Sequence, residues 1–207
     1  HPVVYEMDPP AFRADTRRGR DALAQALGSP PRLYRAPSFT ITPRSYWALE
    51  ILAEEGFRVD SSLFPVSHPR YGNPRGPRRP FVLGGREEGL LVLPMTTLRL
   101  PGRNLPFSGG GYFRLLPLWA ARGAAAWVRR VQGEPVVWYF HPWELDPERP
   151  EVDLGFWMNL RSQGGKKDLH VKLARALEGG SATTLGRWAD GLRPDAPTIP
   201  GIADLPR

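Results

Sequence analysis

The sequence predicts an α/β fold with a parallel sheet, and two observations support that class. Residues 8–60 read as helix, strand, helix and strand, the alternation that is typical of βαβ units. Residues 136–140 are a continuous β-branched and aromatic run, as expected of a strand buried on both faces of a parallel sheet. The chain has 207 residues, 41% of them hydrophobic, which is enough for one domain with a sizeable core.

The first half of the chain carries the start and stop signals of two helices. Asp8 can cap the first helix, which has prolines in its first turn and ends at Gly28. Residues 32–37 are predicted to be a strand, and Thr42 is predicted to cap a second helix. A strand over residues 57–60 follows that helix.

The second half contains more loops. Residues 65–88 form a long stretch rich in Pro, Gly and Arg, predicted to be mostly irregular, and residues 90–94 are the next strand. Residues 106–112 are a glycine loop that opens a helix ending near Gly133.

The C-terminal part is predicted to contain one helix, one strand and a tail. Residues 166–177 have the pattern of an amphipathic helix, and residues 181–185 that of a last strand. Residues 191–207 are Pro-rich and are expected to be a frayed tail.

Composition excludes some kinds of site and leaves others open. The net charge is +7. The chain has no cysteine, and this absence excludes disulfides and thiolate metal sites. No run approaches about 18 apolar residues, so no transmembrane segment is expected. A cytoplasmic location is predicted separately. No nucleic-acid-binding motif appears, so nucleic acid is not an expected partner.

Four polar residues fall at or near predicted strand ends: His1, Arg35, Asp60 and His141. The carboxyl ends of parallel strands are where α/β proteins build active sites. Together these side chains could form a ring at one edge of the sheet. Such a ring suits hydrolysis, which needs a metal ligand, an acid and charges that orient them.

Four ordered motifs resemble a known family. They are Tyr34-Arg-Ala-Pro-Ser-Phe-Thr-Ile-Thr42, Glu54-Glu-Gly-Phe-Arg-Val-Asp-Ser-Ser-Leu-Phe-Pro65, Gly102-Arg-Asn-Leu-Pro-Phe-Ser-Gly-Gly-Gly-Tyr-Phe-Arg114 and Tyr139-Phe-His-Pro-Trp-Glu-Leu-Asp-Pro147. They are similar to motifs of the polysaccharide deacetylases of carbohydrate esterase family four, in the branch associated with exosortase and exopolysaccharide loci. The resemblance covers about residues 1–190, with a family-specific extension over about residues 150–190 that includes Met158-Asn-Leu-Arg.

The resemblance implies a distorted (β/α) barrel and a metal-dependent reaction, the removal of N-acetyl groups from a polysaccharide. It implies a divalent cation, most often Zn²⁺, for which His1 would be one ligand. Arg35 matches the arginine that orients the base aspartate, and Asp60 matches the aspartate that tunes the catalytic histidine. His141 matches that histidine, the general acid that protonates the leaving amine.

Five further residues are candidates for binding the substrate. Gly110 and Gly111 let the backbone approach a ligand closely. Tyr112, Trp143 and Phe64 could form an apolar platform on which a sugar ring stacks. Core or rim packing is the alternative for these three rings.

The chain departs from the family pattern at two positions and lacks part of it. Phe39 stands where the arginine motif has glycine, and Phe64 stands where a tryptophan follows the aspartate. The Asp-Asp pair that supplies the base is absent, and the first histidine of the metal motif would precede His1. The sequence is therefore expected to begin inside the domain, without its first strands, and to be inactive as written.

Two other functions remain open. An N-terminal His1 could chelate copper, as in oxidative polysaccharide monooxygenases, although those are β-sandwiches. The arginines between residues 70 and 79 could belong to a non-enzymatic module that binds an anionic polymer. The sequence does not indicate the oligomeric state.

Overall fold

The computed structural model describes residues 2–146, 168–192 and 195–207. The chain forms two compact units. The first unit comprises His1–Met95 and Thr184–Arg207, and the second unit comprises Thr96–Thr183.

A five-stranded mixed sheet is the centre of the first unit. Its strands are β1 (Leu33–Tyr34), β2 (Val59–Asp60), β3 (Phe81–Leu83), β4 (Leu90–Val92) and, near the C-terminus, β7 (Thr198–Ile199). They lie in the order β1-β2-β4-β3-β7. Strands β1, β2 and β4 are parallel, β3 is antiparallel to β4, and β7 is parallel to β3. The predicted α/β class is confirmed, with a mixed sheet.

Helices cover both faces of this sheet, which explains the near-continuous apolar strands. On one face, Leu90 and Val92 pack in a cluster with residues of α1 (Pro9–Leu27) and α2 (Trp47–Glu54). On the other face, Leu91 packs with residues of α6 (Leu185–Leu192). Alternate residues of β4 therefore pack into two different hydrophobic clusters, one on each face of the sheet.

The predicted limits of α1 are confirmed, whereas the start of α2 differs from the prediction. The side chain of Asp8 accepts a hydrogen bond from the Ala11 N–H at 2.7 Å, and Gly28 ends α1 in the left-handed conformation with φ +75°. Thr42 does not cap α2, which begins at Trp47. Thr42 instead exchanges hydrogen bonds with Ser45 in a turn that precedes the helix.

Within the residues that the structure describes, the second unit contains a hairpin and three α-helices. They are β5 (Thr97–Leu100), β6 (Arg103–Pro106), α3 (Gly110–Leu115), α4 (Leu118–Trp127) and α5 (Leu169–Leu177). The helix predicted to follow the glycine loop is broken, because Leu116 is extended and Pro117 has no N–H to continue it. After α4 the chain forms a π-helical turn, Val128–Gln132, which Gly133 ends with φ +69°, as predicted.

The prediction of a sheet strand at residues 136–140 is wrong. Tyr139 alone forms a bridge, to Gly109, and Val137 donates its N–H to the Thr96 side chain instead of to a strand. Of the five residues only Val137 is buried. The apolar run fits a segment packed between helices as well as a strand, and periodicity cannot separate the two.

Two predictions near the C-terminus are also wrong. Residues 181–185 are not a strand, since α6 begins at Leu185. Residues 195–207 are not frayed, because β7 pairs with β3 and the side chains of Ala196 and Leu205 are buried.

The described strands form an open sheet and a separate hairpin, and no closed barrel is formed among them. The barrel implied by the resemblance therefore stays a prediction. None of the helices in the described parts of the chain is long and apolar enough to cross a bilayer.

We expect Glu55, which lies 3% exposed just after α2, to hold α1 against it. Its carboxylate accepts hydrogen bonds from Arg17 at 2.7 and 2.9 Å and from Arg13 at 2.9 Å. Glu55→Gln should lower the free energy of unfolding by about 1–2 kcal/mol at neutral pH, because charged hydrogen bonds are lost from partners that water partly screens. Urea unfolding measures this, with Glu50→Gln on the exposed face of α2 as the matched control.

The effect of Glu55 should depend on pH. The Arg17 hydrogen bond, helped by Arg13, lowers the pKa of Glu55 from 4.5 to about 2 in the folded chain. The stability that it contributes is therefore complete above pH 4.5 and is lost as the pH falls toward 2. A difference between wild type and Glu55→Gln that stays constant over this range would contradict the assignment.

Candidate active site

Asp60 lies at the carboxyl end of β2, between the ends of β1 and β4. The three strands are parallel, so Tyr34, Asp60 and Val92 lie in register at the same edge. The Asp60 side chain is fully buried. Ser62 donates hydrogen bonds to both carboxyl oxygens of Asp60. The Ser62 hydroxyl donates to Oδ1 at 2.5 Å, and the Ser62 N–H donates to Oδ2 at 2.9 Å. Burial raises the pKa of Asp60 from 3.8 to about 6, although the Ser62 hydrogen bonds and the charge of Arg35 oppose this rise.

Arg35 and two serines extend this site across the three strands. The Arg35 guanidinium donates to the Ser61 carbonyl oxygen at 2.9 Å and to the Ser61 hydroxyl at 2.8 Å. The Ser61 hydroxyl donates to the Leu93 carbonyl oxygen at 2.9 Å, and the Ser62 hydroxyl accepts the Ala36 N–H at 2.8 Å. Arg35, Asp60, Ser61 and Ser62, here called the carboxyl-edge network, thus tie together the ends of β1, β2 and β4.

A series of rings continues from Arg35. The guanidinium lies 5.6 Å from the centroid of Phe39, whose ring packs edge-on against Phe64 at 5.2 Å. Phe64 stacks on Tyr71 at 5.8 Å, and Tyr71 stacks on His68 at 3.7 Å. Phe64 is 5% exposed, whereas Tyr71 and His68 are half-buried. Substrate binding by Phe64 stays a prediction, and the more accessible rings of this series are Tyr71 and His68.

The backbone beside Arg35 is strained. Ser38 and Phe39 have φ of +52° and +56°, which side-chain-bearing residues rarely adopt. Each such residue costs about 1–3 kcal/mol, and such residues cluster at functional sites. Glycine takes this conformation without that penalty, and Phe39 stands where the resembled family has glycine.

The glycine loop in the second unit packs against Tyr139. Gly110 donates its N–H to the Tyr139 carbonyl oxygen at 3.2 Å, and Tyr139 donates its own to Ser108 at 3.2 Å. A Cβ at Gly109 would lie 2.3 Å from the Tyr139 ring, so only glycine fits there. Helix α3 begins with Gly110, Gly111 and Tyr112. The residue that the backbone of the glycine loop approaches closely is Tyr139. Contact with a substrate stays a prediction for these three residues.

His141 lies two residues beyond that bridge and is exposed. Its ring stacks on Trp143 at 5.4 Å with an interplanar angle of 9°, and Tyr139 packs edge-on against it at 5.4 Å. Trp143 is 40% exposed. The His141 N–H donates to the Glu144 carboxylate at 2.9 Å across the turn Pro142–Glu144. The rings of His141 and Trp143 are therefore in direct contact.

A buried ion pair supports the His141 turn. Glu144 Oε1 lies 3.1 Å from Arg114 Nε, and the two side chains are 1% and 4% exposed. Arg114 is in the last turn of α3, where the Lys172 ammonium group donates to the carbonyl oxygens of Phe113 at 2.6 Å and Arg114 at 3.0 Å. Burial lowers the pKa of Lys172. The turn is thus held by α3, and α3 by α5.

The predicted site residues fall in both units. Arg35 and Asp60 share the carboxyl-edge network of the first unit, whereas His141 lies in the second. His1 and the motif at Met158 lie outside the described residues.

Sequence reasoning missed several residues that contact the predicted ones or support them: Ser61, Ser62 and Tyr71 in the first unit, and Arg114 and Glu144 in the second unit. A Glu three residues after His141 and before a helical turn has the spacing of a capping box, which could have identified Glu144. No local signal pairs Arg114 with Glu144, because their contact depends on the fold.

The residues that the structure describes include no group of three His, Cys, Asp or Glu side chains that could hold a metal ion. These residues therefore do not supply the ligand set that the resemblance implies for Zn²⁺.

Comparison with models of known families finds a match. The family described as "Domain of unknown function (DUF3473)" matches residues 61–189, more than half of the chain. The match begins directly after Asp60 and includes the glycine loop and His141. No curated protein and no solved structure matches the chain.

We expect the Arg114–Glu144 pair to hold the backbone of His141. Glu144→Ala should lower the free energy of unfolding by about 3–5 kcal/mol, because it leaves a buried arginine without its partner. Replacing both residues by Met should restore most of that stability, since apolar side chains of similar volume can substitute for a buried pair. In the double variant the His141 amide should still exchange its hydrogen faster than in the wild type, because its acceptor is gone.

Hydrogen exchange followed by NMR measures this effect. The Tyr139 amide, which donates to Ser108, is the internal control and should keep its protection in the double variant. A His141 amide as protected in the double variant as in the wild type would show that Glu144 does not hold the turn.

Proposed function

The chain belongs to the family described as "Domain of unknown function (DUF3473)", and we propose from its own residues that it acts in hydrolytic N-deacetylation of a polysaccharide or glycan. Exopolysaccharide biosynthesis in the cytoplasm and a distorted (β/α) barrel in the natural protein belong to the same proposal. The substrate is an N-acetylated polysaccharide.

The carboxyl-edge network is the observation that carries the proposal. Asp60 is a fully buried carboxyl group whose pKa is raised to about 6, at the sheet edge where α/β enzymes place their catalytic groups. Arg35, which the resemblance makes the orienting arginine, is fixed beside it by two hydrogen bonds to Ser61. A purely structural strand end would need neither a buried carboxyl group nor a strained turn at Ser38 and Phe39.

His141 is the proposed general acid. Hydrolysis of an amide expels an amine, which leaves readily only when it is protonated, and an imidazole can supply that proton near neutral pH. The ring is exposed, and Trp143 and Tyr139 fix its orientation from two sides. Trp143 also presents part of its ring to solvent, which supports stacking against a sugar.

The described residues do not identify the ligands that would hold the metal ion in the proposed reaction. They hold no group of three ligands, and His1 lies outside them. Zn²⁺ binding is therefore proposed only for the natural protein that contains this sequence, where the resemblance calls for an Asp-Asp pair and a second histidine. The proposed roles of Arg35, Asp60 and His141 do not depend on which metal is bound.

Removing His141 tests the proposed reaction. In the natural protein, His141→Ala should lower kcat for acetate release from an N-acetylated oligosaccharide by about 10²–10⁴-fold, because general acid catalysis is lost. KM should change little, since the proton is needed only in the transition state. The matched control is His170→Ala, which removes an exposed histidine on α5 and should leave kcat unchanged.

Two results would contradict the proposal. One is the absence of acetate release by the wild-type natural protein on N-acetylated glycans. The other is near-wild-type turnover in His141→Ala, measured per folded enzyme, which would remove His141 from the mechanism.

A further inference from the structure

The outer side of α4 and its π-helical extension exposes large apolar side chains. Four of the ten exposed large hydrophobic residues of the described chain lie on or beside this helix: Leu115 (52% exposed), Trp119 (78%), Trp127 (53%) and Val131 (60%). The opposite side of the same helix packs in the core through Ala121, Ala124, Ala125 and Val128. A helix that is apolar on both sides is expected to be covered on both sides.

The two tryptophans lie on one side of the helix. They are eight residues apart, which places them about 80° from each other around a helix of 3.6 residues per turn. Tryptophan side chains are highly buried on average, so two exposed rings on one side of a helix indicate a surface that binds a partner.

The segment of the chain that carries these rings is basic. Residues 89–133 include no Asp or Glu, and their only charged side chains are arginines. Arg114 pairs with Glu144 and Arg122 with Glu178. Arg129 and Arg130 are exposed and form no ion pair with a residue that the structure describes. Leu115, Trp119, Trp127, Arg129, Arg130 and Val131 are here called the α4 outer face.

We propose that the α4 outer face binds the anionic surface of a lipid bilayer. Tryptophan favours the boundary between headgroups and acyl chains, and leucine and valine gain by leaving water there. Arginines beside them are attracted to anionic headgroups. The face therefore combines the apolar and cationic halves of an interfacial helix, and the protein binds the membrane peripherally.

Other occupants fit the charges and the apolar side chains less well. A second copy of the chain would bring Arg129 and Arg130 against the same arginines, with no acid on the face to pair them. An anionic polysaccharide would engage the arginines but would gain little from Leu115 and Val131. A bilayer interacts favourably with both the arginines and the apolar side chains.

Vesicle binding by the natural protein that contains this sequence tests the proposal. Co-sedimentation should show binding to vesicles that contain phosphatidylglycerol and much weaker binding to vesicles of phosphatidylcholine alone. Replacing Arg129 and Arg130 by Gln should weaken binding to the anionic vesicles by about fivefold for each arginine. Trp119→Ser should weaken it by about tenfold, because an apolar ring no longer enters the bilayer.

The matched controls lie on α1, which also exposes leucines and arginines but carries acids among them. Leu23→Ser with Leu27→Ser removes two side chains that are 49% and 67% exposed, and should leave vesicle binding unchanged. Arg18→Gln should do the same, because Arg18 is already paired with Asp15.

Four results would overturn the proposal. The first is equal binding to both kinds of vesicle, or to neither. The second is equal loss of binding in the α1 controls. The third is a large fall in thermal stability on Trp119→Ser, which would mean that protein covers the face. The fourth is binding to a sulfated polysaccharide that Arg129 and Arg130 support but Trp119 does not, which would make the partner a polyanion. None of these depends on deacetylase activity.

Discussion

The candidate active site depends on how the chain accommodates one buried carboxyl group, that of Asp60. Placing a carboxylate away from water is unfavourable unless hydrogen bonds replace the lost hydration. Ser62 provides two of these, and Arg35 provides a positive charge nearby. The compensation is incomplete, so the pKa of Asp60 rises to about 6 and the group is held close to its titration point at neutral pH. The Ser62 hydroxyl also accepts the Ala36 N–H after β1, and the Ser61 hydroxyl donates to the Leu93 carbonyl oxygen after β4, so the electrostatics of the site and the register of the sheet depend on each other.

The second unit also buries a carboxyl group, that of Glu144, but stabilises it with a different set of partners. Glu144 is almost as deeply buried as Asp60, but it has a direct partner in Arg114 and uses its second oxygen to hold the His141 backbone. A buried ion pair adds little net stability compared with apolar packing, so its value lies in fixing one geometry of the turn. The imidazole itself stays exposed and is oriented by ring contacts with Trp143 and Tyr139. An imidazole held in this way is presented to solvent while its backbone stays fixed.

Part of this arrangement could be predicted from the sequence. The alternation of elements indicated the α/β class, and the cap at Asp8 and the glycines at 28 and 133 marked helix ends, because those signals are local. Residues 136–140 were misassigned because an apolar run has the same appearance in a strand and in a segment packed between helices. The strand ends at Arg35 and Asp60 could be located, but the serine hydrogen bonds between them depend on strand pairing, and the Arg114–Glu144 contact depends on tertiary packing. The positive φ of Phe39 had no signal in the chain itself, since a phenylalanine does not indicate a conformation that glycine prefers.

A titration of the Asp60 carboxyl carbon, followed by NMR in the natural protein, tests the candidate site most directly. We expect a midpoint near pH 6, well above the ordinary value of 3.8, because burial outweighs the hydrogen bonds from Ser62 and the charge of Arg35. Arg35→Met should raise the midpoint further, since the positive charge that favours the carboxylate is removed. A midpoint at or below 3.8, or one that Arg35→Met leaves unchanged, would show that Asp60 is an ordinary solvated or fully paired carboxylate and would contradict its place in the site.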